Sequence, residues 1–313
     1  MTVLRRTMMI LTIAAVVLSL ATACNLMGSS GSRETGTLSL SITDAPVDAS
    51  DIIGVYITIQ SIQYKIEGDD GWGTVPDFGD PQTHNLLELT GGESALLGDL
   101  TVPTGDYSEI RFILQAPEEG RGAPTNPGSW VDIEGGIEGE YDEGDEALFV
   151  PSGAQSGLKV KAEEPFTVTE GEPIAITVDF DLSKALVRAG GRMILKPVLR
   201  LVIDAETGEI GGQVTYTGDK ELKVYAYEAG TYTESEPDNG ENGFDGAVTS
   251  TGVRDDGTYT LAFLPAGTYD IVVAEFEIGA DGGTYVADSA GIVEEDVVVT
   301  AGEPATADLD LTS

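Results

Sequence analysis

Asp179 and Asp181 stand two apart in a stretch, Ile174 to Leu182, whose apolar and polar residues alternate. On an extended strand both carboxylates project from one face with their Cα atoms about 6.6 Å apart. Paired carboxylates at such a separation are what glycoside hydrolysis uses. In a chain with 54 Asp and Glu such pairs arise by coincidence, so the two are read first as solvated or hydrogen-bonded groups flanking a buried Phe180. The densest acidic run, Glu138-Gly139-Glu140-Tyr141-Asp142-Glu143-Gly144-Asp145-Glu146, has the oxygen supply and tight backbone that calcium favours. It lacks a D-x-D-x-D-G ligand series and is read as a solvated acidic surface; no metal ligand is assigned.

A single Cys and a single His exclude zinc sites built on converging Cys and His, and a Cys nucleophile would need a base beside it. His84 has no G-x-S-x-G serine to serve and is expected to be a surface or half-buried residue of a loop leading into a strand. No catalytic residue and no cofactor are therefore assigned. Two aromatics remain as candidate ligand-binding residues. Trp72 lies in Asp69-Asp70-Gly71-Trp72-Gly73 and Trp130 follows Pro127-Gly128-Ser129; either ring could stack on a sugar, and Trp72 is the better candidate because the turn residues of its Gly/Asp loop should expose it. The competing reading folds each ring back over the core.

The one cysteine has a different chemistry. Arg5 and Arg6 precede an apolar run from Met8 to Leu20, then Ala21-Thr22-Ala23 and Cys24. A run of about 13 residues is too short to span a bilayer and reads as an export signal. The arrangement resembles a bacterial lipoprotein signal, which implies lipidation of Cys24 as the new N-terminus after removal of residues 1–23. It departs from that pattern in having Ala21, with Leu20 one place early, where Leu is preferred three residues before the cysteine. Asn25 stands where some such lipoproteins carry an Asp that retains them at the inner membrane, so the resemblance implies the outer membrane or cell surface. Loss of Arg5 and Arg6 takes the charge from -38 to about -40, so the lipid, and not electrostatics, must hold the protein at an anionic membrane.

A net charge of -38 also excludes nucleic acid as a partner. At about 100–200 residues per domain, 313 residues make two domains. From Thr37 on the apolar period is two, as in Leu38, Leu40 and Ile42, or Ile174, Ile176, Val178 and Phe180. The apolar phase changes between Val55-x-Ile57-x-Ile59 and Ile62-x-Tyr64-x-Ile66, which predicts a bulge near Gln60-Ser61. One helix is expected, from Ser183 to Ala189, closed by Gly190-Gly191. The strand after it is interrupted at Pro197. A turn at Asp204 to Gly208 leads to further strands at 213–217, 222–227, 259–264, 269–278, 297–300 and 307–311. Both halves carry the phrase Pro-x-Gly-x-Tyr, at Pro103 to Tyr107 and Pro265 to Tyr269, which predicts a tight corner that sends the tyrosine inward. The expected architecture is all-β: a signal peptide (1–23), a flexible linker (24–36), and two tandem antiparallel β-sandwich domains at 37–203 and 208–313.

The first of these resembles the family known only as domain of unknown function 4382, through Leu38-Ser39-Leu40-Ser41-Ile42-Thr43-Asp44-Ala45-Pro46-Val47-Asp48, Val150 to Lys159, Asp179-Phe180-Asp181-Leu182 and Leu195-Lys196-Pro197-Val198-Leu199-Arg200. The resemblance implies no activity. The second resembles the carboxypeptidase regulatory-like domains of transthyretin-like, carbohydrate-binding-like fold. The phrases are Ile210-Gly211-Gly212-Gln213-Val214, Val224-Tyr225-Ala226-Tyr227 and Asp256 to Leu261 running into the Pro265 corner. It implies a noncatalytic accessory module; an acidic insertion between Ala229 and Gly246 is extra. Together these readings give a lipid-anchored envelope protein that binds carbohydrate or another surface protein. A carboxylate-based glycosidase or calcium-assisted hydrolase, and a structural spacer, are the alternatives.

Overall fold

Leu38, Leu40 and Ile42 are each at most 1 % exposed while Ser39 and Ser41 between them reach the surface. Burial of each such side chain contributes about 1.5–3 kcal/mol, and this alternation fixes the first strand. The computed structural model describes residues 33–45, 51–117, 127–134, 138–142, 144–238, 243–278 and 285–312. The signal peptide, Cys24 and most of the expected linker lie outside the described residues. Residues 35–313 form one unit, and no described helix is long and apolar enough to cross a membrane.

The first thirteen strands are β1 (Thr35–Ala45), β2 (Ile52–Ile66), β3 (Gly73–Thr74), β4 (Gln82–Asn85), β5 (Ala95–Pro103), β6 (Gly105–Leu114) and β7 (Trp130–Ile133), then β8 (Glu146–Phe149), β9 (Leu158–Val168), β10 (Ile174–Asp181), β11 (Leu186–Ala189), β12 (Arg192–Leu195) and β13 (Leu199–Ile203). A four-stranded sheet in the order β13-β10-β1-β5 and a nine-stranded sheet built on β11-β12-β8-β7-β2-β6-β9 enclose one core. The second group is β14 (Thr207–Thr215), β15 (Glu221–Glu228), β16 (Thr249–Gly252), β17 (Thr258–Pro265), β18 (Gly267–Ile278), β19 (Tyr285–Val299), β20 (Pro304–Thr306) and β21 (Leu309–Asp310). It makes two further sheets, β17-β14-β20 with β21 beside β14, and β16-β15-β18-β19, around Ile210, Val224, Leu261 and Ile271.

The all-β architecture is as expected, but the pairing is not purely antiparallel. β1 runs parallel to β10, β8 to β12, and β14 to both β20 and β21. The expected linker ends earlier, because Thr35 and Gly36 already pair with Pro103 and Val102. The phase change in β2 is a register shift against β6 between Ile59 and Ser61. The expected helix at Ser183 to Ala189 is only a turn, Leu182–Ala185. Leu186 onward is β11, which folds back on β12 through Gly190-Gly191, both at positive φ, the backbone a two-residue hairpin turn of this kind needs. Pro197 lies where the chain leaves the nine-stranded sheet for the four-stranded one. The expected turn at Asp204 is a short 3-10 helix, Asp204–Glu206, and β14 starts directly after it. A Cβ on Gly212 would stand 1.9 Å from the Ala307 carbonyl oxygen, so the Gly211-Gly212 phrase lets β14 and the C-terminal strands approach.

The two sheet pairs are joined by side chains that donate to backbone carbonyls across the junction. Lys184 Nζ donates to Ala247 O (2.7 Å), Arg200 Nη1 to Phe263 O (3.0 Å), and Arg254 Nη2 to Gly91 O (2.8 Å).

Candidate functional site

Trp130 opens β7 directly opposite Tyr56 on β2, and register alone brings the two rings together. They stack with centroids 4.7 Å apart and planes 8° from parallel. Trp130 Nε1 donates to Asp132 Oδ1 at 2.6 Å, and Asp132 Oδ2 accepts the Gly139 N–H at 2.7 Å. Burial pushes the Asp132 carboxyl upward, against the lowering effect of those two hydrogen bonds. Trp130 is 9 % exposed, so the ring is largely covered, and what remains open borders a groove of about 510 Å³. Thr58, Pro81, Thr83, Gln115, Gly128, Glu140 and Tyr141 line the rest of it. A polar groove with an aromatic wall can hold a hydroxyl-rich ligand. Tyr56, Tyr141 and Asp132 escaped sequence reasoning; Tyr56 and Trp130 are 74 positions apart in the chain, and only the β2–β7 register joins them.

Trp72 follows the turn out of β2 and is half-buried. Its ring lies not on the hydrophobic core but under cations: the Arg111 guanidinium is 4.1 Å and the Lys159 ammonium 5.9 Å from the ring centroid. The two tryptophans therefore belong to different surroundings, and the structure does not bring them into one site.

The acidic residues that type and spacing singled out are engaged within the fold. Asp179 is 4 % exposed and Asp179 Oδ2 accepts from Arg200 Nη2 at 2.8 Å. Burial raises the Asp179 pKa, and Arg200 opposes that rise. Asp181 Oδ2 pairs with Lys184 Nζ at 3.0 Å, and Asp181 Oδ1 accepts from Ser183 Oγ at 2.5 Å. Both cations are those that reach across to the second sheet pair. In the acidic run, Asp145 accepts the N–H groups of Ile133 (3.0 Å) and Asp142 (2.9 Å), so this carboxylate closes a turn. Among the described residues no three His, Cys, Asp or Glu side chains come together as a metal site. His84 lies within β4 and not in a loop; it is half-buried, its Nε2 is 3.3 Å from Gln82 Oε1, and burial lowers its pKa.

The acidic insertion has its own anchor. Glu236, 7 % exposed, accepts from Tyr227 Oη and from the Gly246 N–H, each at 2.9 Å. Phe244 stacks on Tyr225 at 4.1 Å. The segment thereby covers the outer face of β15 and β18 with a third apolar cluster of Tyr225, Tyr227, Phe244, Val272 and Phe276.

Comparison with known proteins yields a family. The model described as a domain of unknown function (DUF4382) matches residues 35–197. No curated protein matches the chain. Among solved structures, the chain is similar to the Bacillus anthracis TIE protein at 13% identity and TM-score 0.19, with 88% of this chain and 34% of that one covered. It thus spans about a third of that protein. It is also similar to the minor pilin GBS52 of Streptococcus agalactiae, at 12% identity, TM-score 0.18 and coverage of 87% and 94%. A third is the shaft pilin SpaA of Lactobacillus rhamnosus GG, at 11% identity, TM-score 0.22 and coverage of 88% and 98%.

Proposed function

The chain belongs to the family of the domain of unknown function 4382, and from that premise we propose that it is a noncatalytic binding or structural module, exported and held at the cell envelope by a lipid on Cys24. The observation that carries this reading is the use made of Asp179 and Asp181. A glycosidase needs its two carboxyl groups facing substrate in a cleft. Here Asp179 is committed to Arg200 and Asp181 to Lys184, and those cations donate to Phe263 O and Ala247 O of the second sheet pair. The pair that looked catalytic is a joint, and the protein presents its surfaces from one body.

The groove beside Trp130 supports carbohydrate as the ligand class, because hydroxyl, amide and aromatic groups line it together with the Glu140 carboxylate. The junction also favours a second reading, a spacer that holds a partner away from the membrane, because three cross-junction hydrogen bonds stiffen the connection.

Two experiments test the proposal. In cells fed an alkyne fatty acid, the full chain should take up label and Cys24→Ala should not; label on neither or on both overturns the anchor. The detergent-solubilised mature chain is then screened against neutral and charged polysaccharides. Saturable binding supports the binding module, and silence across the panel leaves the spacer.

A further inference from the structure

The outer face of the nine-stranded sheet gathers positive charge in a chain that has little. Only 16 Lys and Arg stand against 54 Asp and Glu, yet strand register collects four of the bases on one patch. Arg111 on β6 lies between Gln63 on β2 and Lys159 on β9; two residues along, Glu109 lies between Lys65 and Lys161. Residues opposite one another in register share a face. The intervening Ile110, Phe112 and Val160 fill the core on the other side. Glu109 is the one acid in these two rows and pairs with Lys65 at 3.5 Å. Lys159 and Lys161 are exposed and make no ion pair among the described residues.

Trp72 and Gln63 prepare this patch for a ligand. The indole lies 4.1 Å from the Arg111 guanidinium carbon, Arg111 Nε donates to Gln63 Oε1 at 2.6 Å, and Arg111 Nη1 donates to Ser156 O at 3.4 Å. A guanidinium held in this way has already lost the side-chain freedom that binding would otherwise cost, and its planar donors match a carboxylate or sulfate.

We propose that this face binds an anionic polysaccharide, one carrying carboxylate or sulfate on its repeating sugars. The inference rests on the binding-module reading and gives that module a ligand class and a second site, apart from the groove at Trp130. Charge complementarity selects a polyanion. The surrounding acidity selects a thin one: charges are screened beyond about 8 Å at physiological salt, so a linear chain can keep its charges over the patch. A second copy of this protein, another acidic globule or an anionic bilayer would set a broad negative surface against the remaining acids.

The test measures binding of the mature full-length chain carrying Cys24→Ala, which bears no lipid, in detergent-free buffer to alginate, heparin and neutral dextran, and to vesicles containing phosphatidylglycerol. Alginate or heparin should bind, with affinity falling as salt rises. The double variant Lys159→Glu/Lys161→Glu should weaken that binding ten-fold or more, and Trp72→Ala severalfold. Both lysines are exposed, so circular dichroism should remain that of the parent; Lys161 faces Glu109, and the like charges there should lower the unfolding midpoint only slightly. Polyanion binding that the charge reversal leaves unchanged overturns the proposal. So does binding to vesicles but to neither polyanion. Dextran binding alone overturns it while leaving the binding module standing, and silence towards every glycan overturns both.

Discussion

Arg200 lies directly across from Asp179 in the β10–β13 register, and its two terminal nitrogens serve two different sheets: Nη2 holds the carboxylate at 2.8 Å and Nη1 holds Phe263 O at 3.0 Å. Arg200→Met removes both and leaves Asp179 buried without its cation. Breaking a buried pair in this way costs about 3–5 kcal/mol. The cost depends on pH. A carboxyl group raised by burial contributes stability that is present below the ordinary carboxylate range and lost as pH rises through its folded pKa. Without Arg200 to oppose it, the rise is larger. Urea midpoints should therefore show a small defect for Arg200→Met at pH 4 and a large one at pH 7. Equal defects at the two pH values would mean that packing, and not charge, is what Arg200 supplies.

Tyr107 and Tyr269 end the two Pro-x-Gly-x-Tyr phrases, and each donates its hydroxyl to the carbonyl of the proline four residues before it, Pro103 and Pro265. The rings are 0 % and 4 % exposed. Removing the hydroxyl keeps the packing and orphans the carbonyl, so Tyr107→Phe and Tyr269→Phe should each cost about 1–2 kcal/mol. Because the rings sit in separate cores, the double variant should show the sum of the two losses. Chemical denaturation of the three variants measures this, and a double loss well short of the sum would show that the corners are coupled.

Those corners were readable in advance because a turn and the tyrosine that locks it lie within five residues. So were the alternating strands and the bulge in β2, which are local patterns. What could not be read depends on partners far apart in the chain. Gly190-Gly191 suits a helix end and a hairpin turn equally, and only pairing of Leu186 with Leu195 decides between them. The parallel pairing of β1 with β10 sets Leu38 beside Ile174, a relationship that period two does not encode. The same limit applied to the site residues. Alternation placed Asp179 and Asp181 on one face, but the capture of Asp179 by Arg200 follows from the β10–β13 register, and that of Asp181 by Lys184 from the turn Leu182–Ala185. Trp72 was a visible candidate, whereas the row Gln63, Arg111 and Lys159 beneath it appears only once three strands are in register.

Glu236 ties the acidic insertion to β15 through Tyr227 Oη and the Gly246 N–H. Its backbone carbonyl also accepts the Phe244 N–H at 2.7 Å. Glu236→Ala removes the carboxylate contacts and should let this segment open while both sandwich cores stay closed. In hydrogen exchange, the amides of Phe244 and Gly246 should lose protection ten-fold or more, with those of β10 unchanged. Loss of protection throughout the chain would make the insertion part of the global fold.

Lys223, in β15, is 2 % exposed, and burial pushes its ammonium down to about 7 against the opposing pull of Asp44. A lysine depressed in the folded state is neutral there while the unfolded chain still protonates it, so the unfolded state binds the extra proton between the two pKa values. Stability must then fall as pH falls from about 10.5 to about 7, at up to about 1.4 kcal/mol per pH unit, and stay level with respect to this group below that. Lys223→Met removes the titration. Its unfolding free energy should change less than the parent's between pH 7 and 10, and the two profiles should lie furthest apart at neutral pH, by at most about 5 kcal/mol. Above about pH 10.5 Lys223 is neutral in the folded and the unfolded chain alike, so the profiles should converge there. Parallel profiles across the whole range would show that the lysine remains charged in the folded protein and that the junction accommodates an ammonium.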